Sequence, residues 1–320
     1  MLKYKEIIFA SHNKGKTSEI KNTIRTAIHG KDDIIDAVIC ALLAGGHILL
    51  EDIPGVGKTT LVTALAKVLS LDYKRVQFTP DVLPSDLTGF NMYDKNTGNF
   101  TFHEGAVYAN LFLADEINRT SPKTQSALLE VMEEGHVTVD GVTRDLPTPF
   151  FVIATQNPIG ASGTQKLPDS QLDRFMIRLS MGYPNHESAI NILKGDSHST
   201  IRHMEAAINR DELLEFQQKV SETHVSDGLY EYAVSLTEAT RNPDLFALGL
   251  SPRGSIALMK MAKAHAFYND RDYVVPEDFR DVFEYVANHR VILSTKAKAS
   301  GISVSDALKQ AFESIPLPKA

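Results

Sequence analysis

The sequence predicts an α/β chain: a five-stranded parallel sheet with helices on both faces and two hairpin insertions, followed by an all-α domain. Three observations predict it. Short apolar runs of strand length, at Ile48-Leu49-Leu50, 75–78, 111–114, 150–154 and 175–181, alternate with stripes of helical period. Such alternation implies right-handed crossovers and parallel pairing. Beyond Tyr183-Pro184 the strand-length runs stop and only helical periodicity remains. A chain of 320 residues accommodates two domains. They are expected at 31–184 and 185–320, behind a 1–30 leader that turns helical near Thr17.

Taken in order, Asp32-Asp33 caps a helix striped by Ile34, Ile35, Val38, Ile39, Leu42 and Leu43, and Gly45-Gly46 ends it. After the first strand and a tight turn, Leu61, Ala64, Leu65, Val68 and Leu69 stripe the next helix. Phe90 and Met92 before Asn96-Thr97-Gly98, with Phe100 and Phe102 after it, make a hairpin. The third strand runs into Asp115-Glu116. Ser121-Pro122 then starts a helix that stops near Gly135. A second hairpin turns at Asp140-Gly141. The fourth strand closes in Gln156-Asn157-Pro158, residues 160–166 read as a mobile loop, and 168–174 as a short helix. Further helices are expected at 186–194, 211–222, 226–240, 252–268, 276–289 and 303–313. Both hairpins read as polar-tipped, with Thr and Asn rather than a large apolar patch.

Composition narrows the class. Hydrophobic residues make up 43% and charged residues 23%, which fits a soluble globular protein. A net charge of −7 disfavours a general nucleic-acid binder, which needs a basic face. The single cysteine, Cys40, cannot form an internal disulfide and suits a reducing cytosol. There is no apolar run near 18 residues and no signal-peptide pattern, so a cytoplasmic protein without a membrane span is expected.

Four of the strands end in polar residues, at the edge where open α/β sheets bind ligands. At the first lies Asp52-Ile53-Pro54-Gly55-Val56-Gly57-Lys58-Thr59-Thr60. Gly55 and Gly57 let the main chain approach an anion and aim its N–H groups inward. Lys58 would reach the outer phosphates, and the Thr59 hydroxyl would join a Mg²⁺ shell. The pattern G-x-x-x-x-G-K-[ST] is incomplete, because Asp52 stands at its first glycine. The downstream acids decide the matter. Asp115 would hold the metal or its water, and Glu116 would polarise an attacking water. Asn157 would help to place that water and sense the γ-phosphate. Arg174 reads as a finger presented to a neighbouring subunit's nucleotide. Arg253 lies in the first turn of the helix begun by Ser251-Pro252, where a cation is unfavourable unless an anion such as a γ-phosphate comes to it. His47, His103 and His136 have no ligand spacing and read as ordinary surface or half-buried histidines.

These residues in this order resemble AAA+ ATPases. More specifically, Gln77-Phe78-Thr79-Pro80-Asp81, Leu83-Pro84-Ser85-Asp86-Leu87-Thr88-Gly89, Ala114-Asp115-Glu116-Ile117-Asn118-Arg119, Ala154-Thr155-Gln156-Asn157-Pro158 and Gln171-Leu172-Asp173-Arg174-Phe175 resemble the MoxR family. The resemblance runs from about residue 24 to 290. It implies an AAA+ P-loop core with an all-α lid. It implies ATP and Mg²⁺ held by Pro54, Gly55, Val56, Gly57, Lys58, Thr59, Thr60, Asp115 and Arg253. It also implies a hexameric ring with nucleotide at subunit interfaces, and hairpins (90–103 and 137–144) that face the pore or client. The expected activity is ATP-driven remodelling or maturation of protein complexes, including metal-cofactor insertion, beside a separate protein bearing a von Willebrand A domain. Glu104-Gly105-Ala106-Val107 replaces the family's usual Gly-Pro pair, which predicts a less rigid approach to the third strand. Two rival readings stand beside this one. A nucleic-acid motor is opposed by the acidic balance. A nucleotide-gated binding module with little hydrolysis would be favoured by Asp52.

Overall fold

The computed structural model describes residues 15–157, 165, 167–194 and 196–318. Most of the leader (1–14) and nearly all of the loop expected at 160–166 lie outside them. In chain order, α1 (Lys16–Arg25) and α2 (Asp32–Leu43) precede β1 (Ile48–Glu51), then α3 (Lys58–Val68), β2 (Tyr73–Gln77) and α4 (Pro84–Thr88) follow. The hairpin β3 (Phe90–Asp94)–β4 (Asn99–His103) leads to β5 (Leu111–Asp115) and α5 (Pro122–Glu134). The hairpin β6 (His136–Val139)–β7 (Val142–Asp145) leads to β8 (Phe151–Gln156), α6 (Asp169–Leu172) and β9 (Ile177–Leu179).

The strands β2-β5-β8-β1-β9 form one parallel sheet in that order. Central β5 and β8 are buried along their whole length, which explains their unbroken apolar runs. Successive side chains still go to opposite faces. Ile48, Leu50, Leu111, Leu113, Phe151 and Ile153 join the core beneath α2 and α3. Leu49, Phe112, Ala114, Val152 and Ala154 join the core beneath α5. Both faces are therefore covered, as the sequence predicts.

The C-terminal part is α7 (His186–Leu193), α8 (Asp196–His203), α9 (Arg210–Glu222), α10 (Asp227–Ala239), β10 (Phe246–Leu248), α11 (Pro252–Tyr268), α12 (Pro276–Ala287), β11 (Ile292–Leu293), α13 (Thr295–Ala299) and α14 (Val304–Glu313). The expected helices are present. The additions are α8, α13 and the small antiparallel pair β10–β11. Strands of two or three residues and a five-residue helix are too short to carry a readable period. Among the described residues no helix is long and apolar enough to cross a membrane.

Two expectations need correction. The first hairpin does carry an apolar patch: Tyr93 and Phe100 flank its polar turn, are 53% and 72% exposed, and meet edge to face at 5.4 Å. Phe90 and Met92 are exposed as well. The pattern at the turn residues hid an apolar face on the strands beside them. The approach to β5 is also not loose. Ala106 N donates to Asp86 O at 2.9 Å and Val107 N to Leu87 O at 3.1 Å. A Cβ on Gly105 would lie 2.1 Å from Leu87 O, so only glycine passes there.

His47 holds the base of the sheet. Its Nδ1 accepts from Val152 N at 3.0 Å, so Nε2 carries the hydrogen that it donates to Met132 O at 2.9 Å. One ring thus joins the start of β1 to β8 and to the end of α5. Burial pushes its pKa down from 6.5 to about 4. His47 is half-buried, whereas His289 is buried, against Phe175 O at 3.0 Å. Burial first, and then Arg290 beside it, hold its pKa well below the ordinary value. For both rings the folded pKa lies under the unfolded one. Their neutral contribution is intact above about pH 6.5 and is lost as pH falls toward 4. Urea unfolding should therefore show stability falling between pH 7 and pH 5, by about 1–2 kcal/mol from His47. A His47→Ala variant should be less stable at pH 7 but flatter with pH. An unchanged slope in that variant would remove His47 from this account.

Candidate active site

β1 delivers the chain to the phosphate loop at the C-terminal edge of the sheet. Gly55 and Gly57 have φ of 85° and 97°, left-handed values that favour glycine. Gly57 is the N-cap of α3, with no side-chain cap and no acid in the first turn. The first N–H groups of α3 are thus left to an incoming anion, with the positive end of the helix dipole behind them. Pro54 and Gly55 are exposed, while Val56, Thr59 and Thr60 are half-buried along the same turn. Lys58 is buried, and its Nζ donates to Asp52 O at 2.8 Å and Ile53 O at 3.1 Å. Burial lowers its pKa, opposed by the carboxylates of Asp52, Asp115 and Glu116. This cradle fits a polyphosphate: it offers donors, a cation and open space above Gly55. The first glycine of the motif is not needed here, since Asp52 has no positive φ.

Beside the loop, Asp115 ends β5. Its Oδ2 accepts from Arg75 Nη2 at 2.6 Å and Nε at 3.2 Å, and its Oδ1 accepts from the Thr155 hydroxyl at 2.6 Å. The same hydroxyl oxygen accepts from Glu116 N at 2.8 Å. Glu116 takes a left-handed conformation, φ 58° and ψ 47°, which costs a non-glycine residue on the order of 1–2 kcal/mol. That turn brings its carboxylate between two donors. Asn157 Nδ2 reaches Oε1 at 3.2 Å, and Arg119 Nη1 reaches Oε2 at 2.9 Å. Asn118 Nδ2 donates to Asn157 O at 3.1 Å, and Asn157 N donates to Asn118 Oδ1 at 3.4 Å, so the two asparagines fix one another. Lys58, Thr59, Asp115, Glu116 and Asn157 are therefore brought to one edge of the sheet.

The two arginines go elsewhere. Arg174 follows α6 and precedes β9, and Met176 N donates to the carbonyl of His47 just before β1. This is the N-terminal edge of the sheet, opposite the loop. Arg174 Nη2 pairs with Glu133 Oε2 at 3.1 Å, and Arg253 Nη2 bonds the other oxygen of the same carboxylate. Arg253 thus does meet an anion at the head of α11. That anion is Glu133, in the last turn of α5, and the chain's own phosphate loop lies at the other edge. Arg174 and Arg253 are joined to each other and separated from Lys58.

A buried ion pair sets this arginine cluster. Arg290 Nε donates to Asp173 Oδ1 at 2.7 Å, and its other nitrogens reach the carbonyls of Asp173, Phe175 and Met176. Asp173 Oδ2 accepts from the Ser251 hydroxyl at 2.8 Å, and Ser251 Oγ accepts from Gly254 N to cap α11. Asn118, Arg119, Thr155 and Asp173 lie inside the motifs quoted above, but their residue types alone assign them no role. Arg75, Glu133 and Arg290 left no local signal, because each acts across a gap of many residues.

Comparison with known proteins identifies the family. Residues 47–177 match the ATPase family associated with various cellular activities, and residues 238–311 match the AAA lid domain. YeaC of Bacillus subtilis, of uncharacterised function, is 47% identical over 95% of this chain and 94% of its own length. Chaperone MoxR1 of Mycobacterium tuberculosis is 37% identical over 92% of this chain and 81% of its own. The crystal structure of a presumed ATPase from Cytophaga hutchinsonii superposes with a TM-score of 0.91, at 37% identity and over the whole of both chains. With its loop, acids, lid and relatives in agreement, the chain belongs to the MoxR family of AAA+ ATPases.

Proposed function

We propose that this chain hydrolyses ATP with Mg²⁺ at sites shared between neighbouring copies in a homo-oligomeric ring, expected to be hexameric. One observation carries the reading: Glu116 and Asn157 stand beside the loop, while Arg174 and Arg253 stand together on the opposite edge. An arginine pair held away from its own loop is placed to serve another subunit's.

The roles follow from the contacts. The first-turn N–H groups of α3 and Lys58 bind phosphates, and the Thr59 hydroxyl and Asp115 would hold Mg²⁺. Mg²⁺, when bound, neutralises charge on the phosphate oxygens. Glu116 draws a proton from the attacking water, oriented by Asn157. Arg174 and Arg253 stabilise charge on the transferred phosphoryl group from the neighbouring subunit. The core extends to Pro184 and the helical lid from 185 onward. The hydrolysis cycle moves the lid and remodels or matures a client protein complex, metal-cofactor insertion included, with a separate von Willebrand A-domain protein as partner. The exposed Phe90, Met92, Tyr93 and Phe100 offer an apolar surface to a protein client, and the net charge of −7 opposes nucleic acid. The working compartment is taken to be the cytoplasm.

Glu116→Gln should keep ATP binding and lose turnover by about 100-fold or more, as expected for removal of a general base. Arg174→Ala should lower turnover by about 10³ with nucleotide still bound. Wild-type rates in a steady-state ATPase assay would strike either residue from its role. In thermal unfolding, Mg²⁺-ATP at about a hundred times its dissociation constant should stabilise the chain by about 2.7 kcal/mol. Lys58→Ala should abolish that gain.

A further inference from the structure

We propose that Asp52 is a positioning residue that locks the phosphate loop to segment 180–182, and so relays nucleotide occupancy to the helices that follow. The relay rests on reading the loop as a nucleotide site. The lock rests on contacts. Asp52 is buried, 5% exposed, and both its oxygens are used. Oδ1 accepts from Ser180 Oγ at 2.9 Å and from Gly182 N at 3.0 Å, and Oδ2 accepts from Met181 N. Three donors of one short segment thus converge on a single carboxylate, and charge-assisted bonds of this kind are the strong ones.

The main chain of Asp52 faces the other way. Its carbonyl accepts from Lys58 Nζ at 2.8 Å, and its N–H donates to Gln156 O, next to Asn157. Met181 also lies beside the loop, its Cε 3.8 Å from where a Cβ on Gly57 would stand. The chain then runs from Gly182 through Tyr183 and Pro184 to Asn185, whose Oδ1 accepts from Ser188 N and caps α7. An anion that draws Lys58 outward loosens its bond to the Asp52 carbonyl. The carboxylate of that same residue passes the change to 180–182. Glycine, the usual residue of the motif, offers no acceptor and would cut this link. Asparagine would turn an N–H₂ toward main-chain donors.

Amide hydrogen exchange on the full chain, with ADP as the probe, tests both parts. In the wild type, ADP should lower protection across 180–194. In Asp52→Asn, amides 181 and 182 should exchange about tenfold faster or more. ADP should still bind by equilibrium dialysis, yet leave 180–194 unchanged. Ser180→Ala removes one donor of three and should weaken the same response partly, which keeps the test alive if Asp52→Asn does not fold. A full ADP response at 180–194 in either variant, or faster exchange spread evenly along the chain, would overturn the proposal. Wild-type chain that binds ADP without any response at 180–194 overturns the relay alone. Wild-type chain that binds no ADP overturns the nucleotide reading with it, while faster exchange at 181 and 182 in Asp52→Asn would still uphold the lock.

Discussion

All five strands of the central sheet point the same way, and the placing of the chemistry depends on that constraint. Strand ends at one edge carry Asp52, Asp115 and Asn157 toward α3. Residues that lead into strands, His47 and Met176 among them, collect at the other edge. Arg174 belongs to the second set because it precedes β9, and Glu133 draws Arg253 to it. Parallel pairing therefore does more than bury the apolar runs. It separates the phosphate-binding half from the arginine half by the length of a strand, with His47 bonded across the base of three elements.

The helical part touches both halves. Asp173 joins the arginine turn to the cap of α11, and Arg290 bonds Asp173 from the segment between α12 and β11. Arg290 is almost wholly buried, and breaking such a pair by removing one partner typically costs about 3–5 kcal/mol. At the other edge, Arg178 joins Glu51 at 2.9 Å and Asn288 at 3.1 Å, again linking the sheet to α12. Motion of the lid in this arrangement would carry Arg253, on α11, while Arg174, just before β9, and Glu133, on α5, stay with the sheet.

Much of this was legible in the sequence, for physical reasons. Buried parallel strands must be apolar throughout, so β5 and β8 stood out from their neighbours. Glycine at positive φ, a lysine at a helix start and acids at a strand end are local features with fixed spacing, so the loop, Asp115 and Glu116 could be read together. Asn157 was read from its place at the end of a strand. Arg253 was read from the conflict between a cation and a helix N-terminus, but its partner was not, since Glu133 lies 120 residues away. Asp52 was noticed only as a departure from a pattern. Its purpose became visible when Ser180, Met181 and Gly182 came within reach of its carboxylate. The hairpin aromatics were misjudged because turn residues say little about the strand faces beside them.

The central claim is that one subunit's loop is completed by another's arginines, and mixed assemblies test it most directly. Glu116→Gln has an intact arginine half, and Arg174→Ala has an intact loop half. Mixing the two, after dissociation and reassembly, should restore ATPase activity well above the sum of the separate variants. Some interfaces then pair the good loop of one with the good arginine of the other. Activity that stays at that sum, in rings confirmed to contain both variants, would contradict the account.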